Sequence, residues 1–338
     1  MPETPLHPIR ALAERTMRHS WFPVARSVDV KDAPVPAVLL GTKLAVFRDG
    51  DGVIRVVENR CPHRGGSLAH GRVTDGSIAC PYHGWRYNGE TGKCVAVPSL
   101  AEQSKIPPRA EIATYPAIER FGHVWTVLDE PVRDLYENPY WQDLDLQWLA
   151  AEPLHSNTGV GIAIENFRDV AHFPFVHEAT MGPTPEVVGP LDVRREGYDV
   201  YMSRELDAGT GEWAEQGDCT MHYHCSAPGF ATITYDYAQL GTRVVAGFPS
   251  PVAYDQLVIF WGVANDVGFR GDSLEFNLKI ETEVYLEDLP IADKLEPREI
   301  PWDREYVEHS VPSDVFTLSY RRSFRELMDA VVQRFPDQ

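Results

Sequence analysis

The chain has 338 residues, 43% of them hydrophobic and 24% charged, with a formal net charge of −19. That length admits two domains with separate cores. So acidic a surface excludes nucleic acid as a ready partner, because phosphate repulsion adds to self-repulsion. The stretch 1–21 carries Arg10, Glu14, Arg15, Arg18 and His19 and so lacks the apolar core of a signal peptide. No apolar run is long enough for a bilayer, so a cytoplasmic protein with no membrane partner is expected. Cys61, Cys80, Cys94, Cys219 and Cys225 are odd in number and read as thiols or metal ligands rather than a disulfide frame.

In chain order, the first expected elements are short strands. Ala37–Leu40 and Leu44–Phe47 are followed by the hairpin turn Asp49-Gly50-Asp51-Gly52 and the strand 53–57. Turns are expected at Asn88-Gly89 and Thr91-Gly92, and a further strand at 123–128. This is the pattern of a small antiparallel β domain. Residues from about Glu130 to Trp148, rich in proline and aspartate, are expected to be a connection. A helix is expected over 162–173, ending before Pro174, and repeated strands from about Asp192 to Glu283. Phe324, Leu327, Met328, Val331 and Phe335 recur at helical spacing, behind Ser313 and Asp314 as possible N-caps. The whole reads as α+β, with long antiparallel strands packed against helices.

Two clusters carry chemistry. In Cys61-Pro62-His63-Arg64-Gly65-Gly66 and Cys80-Pro81-Tyr82-His83-Gly84-Trp85, each cysteine is followed closely by a histidine on what should be a tight loop. Two thiolates and two imidazoles suit a tetrahedral zinc, or a [2Fe–2S] cluster with both histidines on one iron, and spacing alone does not decide between them. The neighbours do: Gly65, Gly66 and Gly84 let the backbone approach inorganic sulfides and donate N–H bonds to them. The pattern, with Arg64, Tyr82 and Trp85, resembles the Rieske motif of ring-hydroxylating and demethylating oxygenases. Gly66 and Tyr82 stand where respiratory Rieske proteins carry additional, disulfide-bonded cysteines, which points to the oxygenase kind and to a lower potential. Cys94, Cys219 and Cys225 match nothing in the motif and read as small buried hydrophobes.

The second cluster is Asn166-Phe167-Arg168-Asp169-Val170-Ala171-His172-Phe173-Pro174-Phe175-Val176-His177. Two histidines five residues apart diverge on a straight helix. Pro174 forbids one, so the chain can turn after His172 and bring His177 back. Two histidines and one distant carboxylate would make the facial triad of non-haem Fe(II) oxygenases. This segment resembles the mononuclear-iron segment of dicamba monooxygenase and vanillate demethylase, and its wording is similar to toluenesulfonate methyl-monooxygenase and the saxitoxin-pathway hydroxylases.

The resemblance, to the terminal component of Rieske non-haem iron oxygenases, covers almost the whole chain in motif order. It implies a Rieske domain over 1–130 and a helix-grip (START-like) catalytic domain over 131–338. By it, Cys61, His63, Cys80 and His83 hold a [2Fe–2S] cluster, and His172 and His177 hold a mononuclear Fe(II). Asp288 is the third iron ligand, with Glu287 and Asp293 as rivals, on a helix expected to begin near this acidic pair so that Pro290 falls in its first turn. Asp169 bridges His172 to a Rieske histidine of a neighbouring subunit, Asn166 lies near the iron, and the assembly is a homotrimer. Electrons come from NAD(P)H through a ferredoxin or a flavin-dependent reductase, O2 is co-substrate, and a small molecule is hydroxylated or demethylated. Two alternatives stay open: a Rieske electron carrier without oxygenase activity, and a cis-dihydroxylating dioxygenase.

Three further expectations come from the residues themselves. Arg60, Arg64, Arg72 and Arg86 surround the Rieske loops and form either a basic patch for the carrier or pairs with nearby acids. His222 and His224 alternate with Met221, Tyr223 and Cys225, so they share one strand face and are left outside the site. Tyr235, Tyr237, Phe260 and Trp261 read as core rather than pocket.

Overall fold

The computed structural model describes residues 7–206, 217–303 and 306–336. Its contacts divide the chain into two compact units. One comprises Arg18–Pro131; the other comprises Val132 onward together with most of the N-terminal helix α1 (Pro8–Arg18).

The smaller unit is built from short antiparallel sheets, in keeping with its hairpin turns. β1 (Phe22–Arg26) pairs with β11 (His123–Thr126), which also pairs with β10 (Ala117–Arg120). β2 (Val35–Leu39), β3 (Thr42–Arg48), β4 (Ile54–Glu58) and β9 (Thr114–Tyr115) form a second sheet in that order. The third sheet is β5 (Arg72–Thr74), β6 (Ser77–Ala79), β7 (Arg86–Asn88) and β8 (Cys94–Ala96). Asp49 shapes the β3–β4 turn: its carboxylate accepts from the amides of Asp51 and Val53 and from Arg55. Phe47, Leu68, Ile78 and Tyr87 form the core beneath Cys61 and Cys80.

The larger unit has an eight-stranded antiparallel sheet. Its order is β12 (Leu146–Ala150), β19 (Gln256–Asp266), β18 (Gly241–Ala253), β17 (Phe230–Tyr237), β16 (Cys219–Ser226), β15 (Asp199–Leu206) and β14 (Val193–Glu196), with β13 (Leu154–Ser156) also on β19. Strands bury both faces when both are covered. On one face lie the helices α2 (Val160–Asn166), α5 (Leu274–Ala292) and α6 (Val315–Arg334). On the other lies the segment after Val132, where Asn138 donates to Thr232 Oγ1 and the Trp141 indole to Thr234 Oγ1, each at 2.9 Å.

Three expectations are corrected. The stretch read as a connection contains the start of β12 and the buried Tyr136 and Trp141. The strands stop at Asp266, and α5, capped by the Ser273 hydroxyl, occupies the rest of the range read as strand. The helix expected over 162–173 ends at Asn166, and Pro174 lies in the first turn of a new short helix, α3 (Phe173–Val176), followed by α4 (Glu178–Met181). Proline costs nothing there, because its missing N–H has no partner in a first turn. In α6, Phe324, Leu327, Met328 and Val331 are buried, and Asp314 holds the N-cap position. No helix among the described residues is long and apolar enough to cross a membrane.

The start of α2 is fixed by a buried acid. Glu299 accepts from the amide of Gly161 at 3.1 Å and of Ile300 at 2.7 Å, and burial pushes its carboxyl up to about 7 despite those two bonds. A methyl group on Gly161 would collide with Glu299 and the Ile300 side chain. Gly161→Ala is therefore expected to cost about 1–3 kcal/mol, measured as a lowered denaturation midpoint.

Candidate metal centres

In the smaller unit the two Cys–His loops are the same turn built twice. The Gly65 amide donates to the Cys61 carbonyl at 2.8 Å and the Cys61 amide to the Gly66 carbonyl at 2.9 Å. In the second loop the Gly84 amide donates to the Cys80 carbonyl at 3.0 Å and the Cys80 amide to the Trp85 carbonyl at 2.8 Å. Gly65 and Gly84 have φ of 72° and 71°, the left-handed conformation that a side chain disfavours. A Cβ on Gly66 would lie 2.9 Å from Cys80 Sγ. Cys61 and Cys80 are buried and His83 is exposed. The imidazoles of His63 and His83 face each other with centroids 4.5 Å apart, and Trp85 stacks on His63. Tyr87 Oη lies 3.2 Å from Cys61 Sγ, within reach to donate to a thiolate.

Among the described residues, one group of three or more His, Cys, Asp or Glu side chains brings its donor atoms within 4.8 Å of one another, and it is not this one. A tetrahedral zinc needs four donors about that close. An inner pair of thiols and an outer pair of imidazoles instead suit a cluster spread over two irons.

The converging group is His172, His177 and Asp288. His172 precedes α3 and His177 follows it, so one turn of helix returns the chain to the same point. Asp288 comes from α5. The separations are 3.0 Å between the two Nε2 atoms, 3.4 Å from His172 Nε2 to Asp288 Oδ1 and 3.3 Å from His177 Nε2 to the same oxygen. Three donors at right angles, each about 2.1 Å from one metal, stand about 3 Å apart. The donor set therefore fits a single metal with its opposite face open.

Other carboxylates orient the histidines. Glu287 Oε2 lies 2.8 Å from His177 Nδ1 and accepts from Thr180 Oγ1 at 2.7 Å. Asp169 Oδ2 stands 3.4 Å from His172 Nδ1, at ion-pair distance rather than in a formed hydrogen bond. Asn166 Nδ2 donates to Asp288 Oδ1 at 3.2 Å. Of the two rivals to Asp288, Glu287 thus meets the far side of His177, while Asp293 caps the segment at Ser156 and Asn157. Pro290 lies in the last turn of α5, not the first of a helix. Burial opposes an imidazolium at His172, yet Asp169 and Asp288 outweigh it and raise the group to about 9; burial likewise opposes the Asp288 anion, and the two histidines pull it down to about 2.

A cavity of about 210 Å³ adjoins the three donors. Val170, Phe173 and Met181 enclose it on one side, and Met221, Ile233, Tyr235, Tyr237 and Val245 form its sheet floor. Tyr235 and Tyr237, read as core, are thus cavity wall, as is Cys219. His222 and His224 face the other side, where His222 meets Ser203 and Tyr140 and His224 meets Asp199 and Tyr201. Arg86 pairs with Asp75, while Arg60, Arg64 and Arg72 are exposed.

Comparisons with known proteins match a domain family to each half of the chain. Residues 20–116 match the Rieske [2Fe-2S] domain, and residues 157–330 match the vanillate O-demethylase oxygenase C-terminal domain. The methylxanthine N1-demethylase NdmA of Pseudomonas putida is 29% identical over 93% of this chain and 90% of its own. The structure of NdmA with caffeine superposes with a TM-score of 0.84 at 25% identity, covering 95% of this chain and 94% of that one. Dicamba monooxygenase bound to dicamba, at 19% identity, shares the fold with a TM-score of 0.79 over 94% of this chain and 99% of that one.

Asp288→Ala should leave about two irons and two sulfides per chain, against about three and two in the parent protein. Glu287→Gln should weaken Fe(II) binding roughly 10–100-fold, read by competition with a chelator. Because His172, without metal, holds its proton up to about 9, Fe(II) must displace it. Affinity in the same titration should therefore fall as pH is lowered from 9 toward 6.5.

Proposed function

The chain belongs to the Rieske non-haem iron oxygenases, as a terminal oxygenase of the vanillate O-demethylase type, and from that premise we propose that it removes a methyl group from a nitrogen or oxygen of a small organic molecule. In this reading Cys61, His63, Cys80 and His83 hold the cluster, and His172, His177 and Asp288 hold one Fe(II). The observation that carries it is the convergence of those three donors on the wall of a largely apolar cavity. The near full-length likeness to an N-demethylase favours demethylation over cis-dihydroxylation.

When bound, the iron supplies O2 activation and the cluster supplies electrons one at a time. The balance is one O2, two electrons and two protons per methyl group. One oxygen atom enters a C–H bond of the methyl, the other leaves as water, and the resulting hemiaminal or hemiacetal releases formaldehyde. The protein's own part is placement. Glu287 fixes the His177 ring through Nδ1, and Asp169 at ion-pair distance favours the His172 tautomer whose Nε2 lone pair points at the same spot. Asn166 keeps Asp288 Oδ1 turned to the same spot, and Val170, Phe173 and Met181 exclude water from the carbon to be oxidised.

Asp169 is 39% exposed on its side chain and His83 is exposed as well. In a head-to-tail homotrimer Asp169 would accept a hydrogen bond from the partner subunit's His83, giving electrons a short polar path to His172. A separate flavin-dependent reductase, directly or through a ferredoxin, would dock near the exposed Arg60, Arg64 and Arg72. Free rather than bridged cysteines suit a cytoplasmic setting.

Anaerobically reconstituted protein should contain about three irons and two acid-labile sulfides per chain, and with reductase it should form one formaldehyde per O2 consumed from an N- or O-methyl substrate. Two irons and two sulfides without formaldehyde would favour an electron carrier, and zinc without sulfide would sink the assignment. Replacing Arg64 and Arg72 together by glutamate should slow reduction of the cluster by the native carrier about tenfold and leave the sulfide content unchanged; an unaltered rate would remove the docking idea.

A further inference from the structure

Two carboxylates line the cavity among the described residues: Asp288, at the metal end, and Glu281. Both are on α5, with Val284 and Tyr285 between them on the same wall. Seven residues of helix place Glu281 two turns, about 10 Å along the axis, from Asp288. The wall is thus a ruler with the reacting end at Asp288 and a charged group at the other.

Glu281 is 5% exposed and Arg243 is 1% exposed. Arg243 Nη1 donates to Glu281 Oε1 at 3.1 Å, its Nε donates to Tyr237 Oη at 3.3 Å, and its guanidinium lies 4.0 Å from the Tyr235 ring centroid. Glu281 is part of the cavity lining and Arg243 is not, so the acid stands on the cavity side of the pair. A buried ion pair of this kind is weak support for stability, since desolvation offsets its attraction and an apolar pair of the same size packs as well. Its value here is a fixed hydrogen-bond acceptor in a largely apolar chamber, the arrangement that sets ligand orientation. The other charge on the lining, Arg204, lies three strands away in the same cross-strand row (Arg204, Met221, Tyr235, Arg243). At about 4.8 Å per strand, that is about 14 Å from Arg243.

We propose that Glu281 determines specificity by accepting a hydrogen bond from an N–H or O–H donor on the end of a flat, ring-bearing substrate opposite the methyl group that is oxidised. Tyr235, Tyr237 and Tyr285 on the lining suit an aromatic or heteroaromatic ring, so the substrate class is a methylated ring compound with a donor across the ring. A carboxylate at that position is disfavoured, because it would meet Glu281 in a site sheltered from water. This rests on the demethylase reading above and adds the chemistry of the distal end.

The test compares two probes with the same ring and methoxy group, 4-methoxyaniline and 4-methoxybenzoate. Kd is measured by equilibrium dialysis against the reduced, iron-loaded holoenzyme without O2. The parent enzyme should bind the aniline at least about tenfold more tightly than the benzoate. Glu281→Gln should bring the two values together, weakening the aniline and strengthening the benzoate. The double variant Glu281→Met, Arg243→Met should do the same without leaving a buried charge unpaired, which guards against a misfolded single variant. Iron and sulfide contents are read on every sample. Equal or reversed preference in the parent, binding of neither probe, or an unchanged preference in both variants would overturn the proposal. Because binding is read without turnover, these outcomes are separate from a failure of the demethylase reading, which would show as a missing third iron or as O2 consumption without formaldehyde.

Discussion

The structure of the larger unit turns on a cost: two histidines and a carboxylate are held with their donor atoms 3.0–3.4 Å apart, in a place mostly shielded from water. Groups that close compete for the same protons, and their surroundings must orient them. They do so with one more acid per histidine, Glu287 for His177 and Asp169 for His172, and with an amide donor, Asn166, for Asp288. Removing the metal does not remove this demand. Without the metal, the neighbouring acids still hold both imidazoles above their ordinary range although burial opposes this.

Each element that delivers a proposed iron-site residue does so at a helix end. Asn166 is the last residue of α2, His172 and His177 bracket α3, and Asp288 lies in the closing turns of α5. Mid-helix side chains three and four apart share a face but diverge as the interval grows. At helix ends the backbone is released and residues five apart can converge. Pro174, placed where its missing N–H is harmless, starts the one-turn α3 that makes this possible for His172 and His177.

The same contrast between local and distant geometry explains what was legible in the sequence. The four proposed cluster ligands lie in two loops whose glycines sit at fixed offsets, so the turn is written beside them. His172 and His177 are legible for a similar reason, although the mechanism differs: the helix that brings them together begins at Phe173, whereas the sequence pattern places one before it. Asp288 is far along the chain, and only the family resemblance selects it from Glu287 and Asp293. A neighbouring pair on a helix points in directions about 100° apart, so one acid can face the metal and the other the back of His177, but composition does not say which.

Tyr235 and Tyr237 read as core in the sequence because alternation along a strand marks which face is inward, not whether that face meets side chains or a cavity. Glu281 was missed for the opposite reason, since one more acid in so acidic a chain carries no signal by itself. The signal that would have found it is its period: Glu281, Tyr285 and Asp288 fall at intervals of four and three, a single stripe on α5. In an amphipathic helix that packs on a sheet, such a stripe is normally apolar. A stripe that carries an acid at each end and an aromatic between is out of place against a core and in place against a ligand. Once Asp288 is assigned to a metal, the position of Glu281 two turns away is already a statement about the length and polarity of what lies between them.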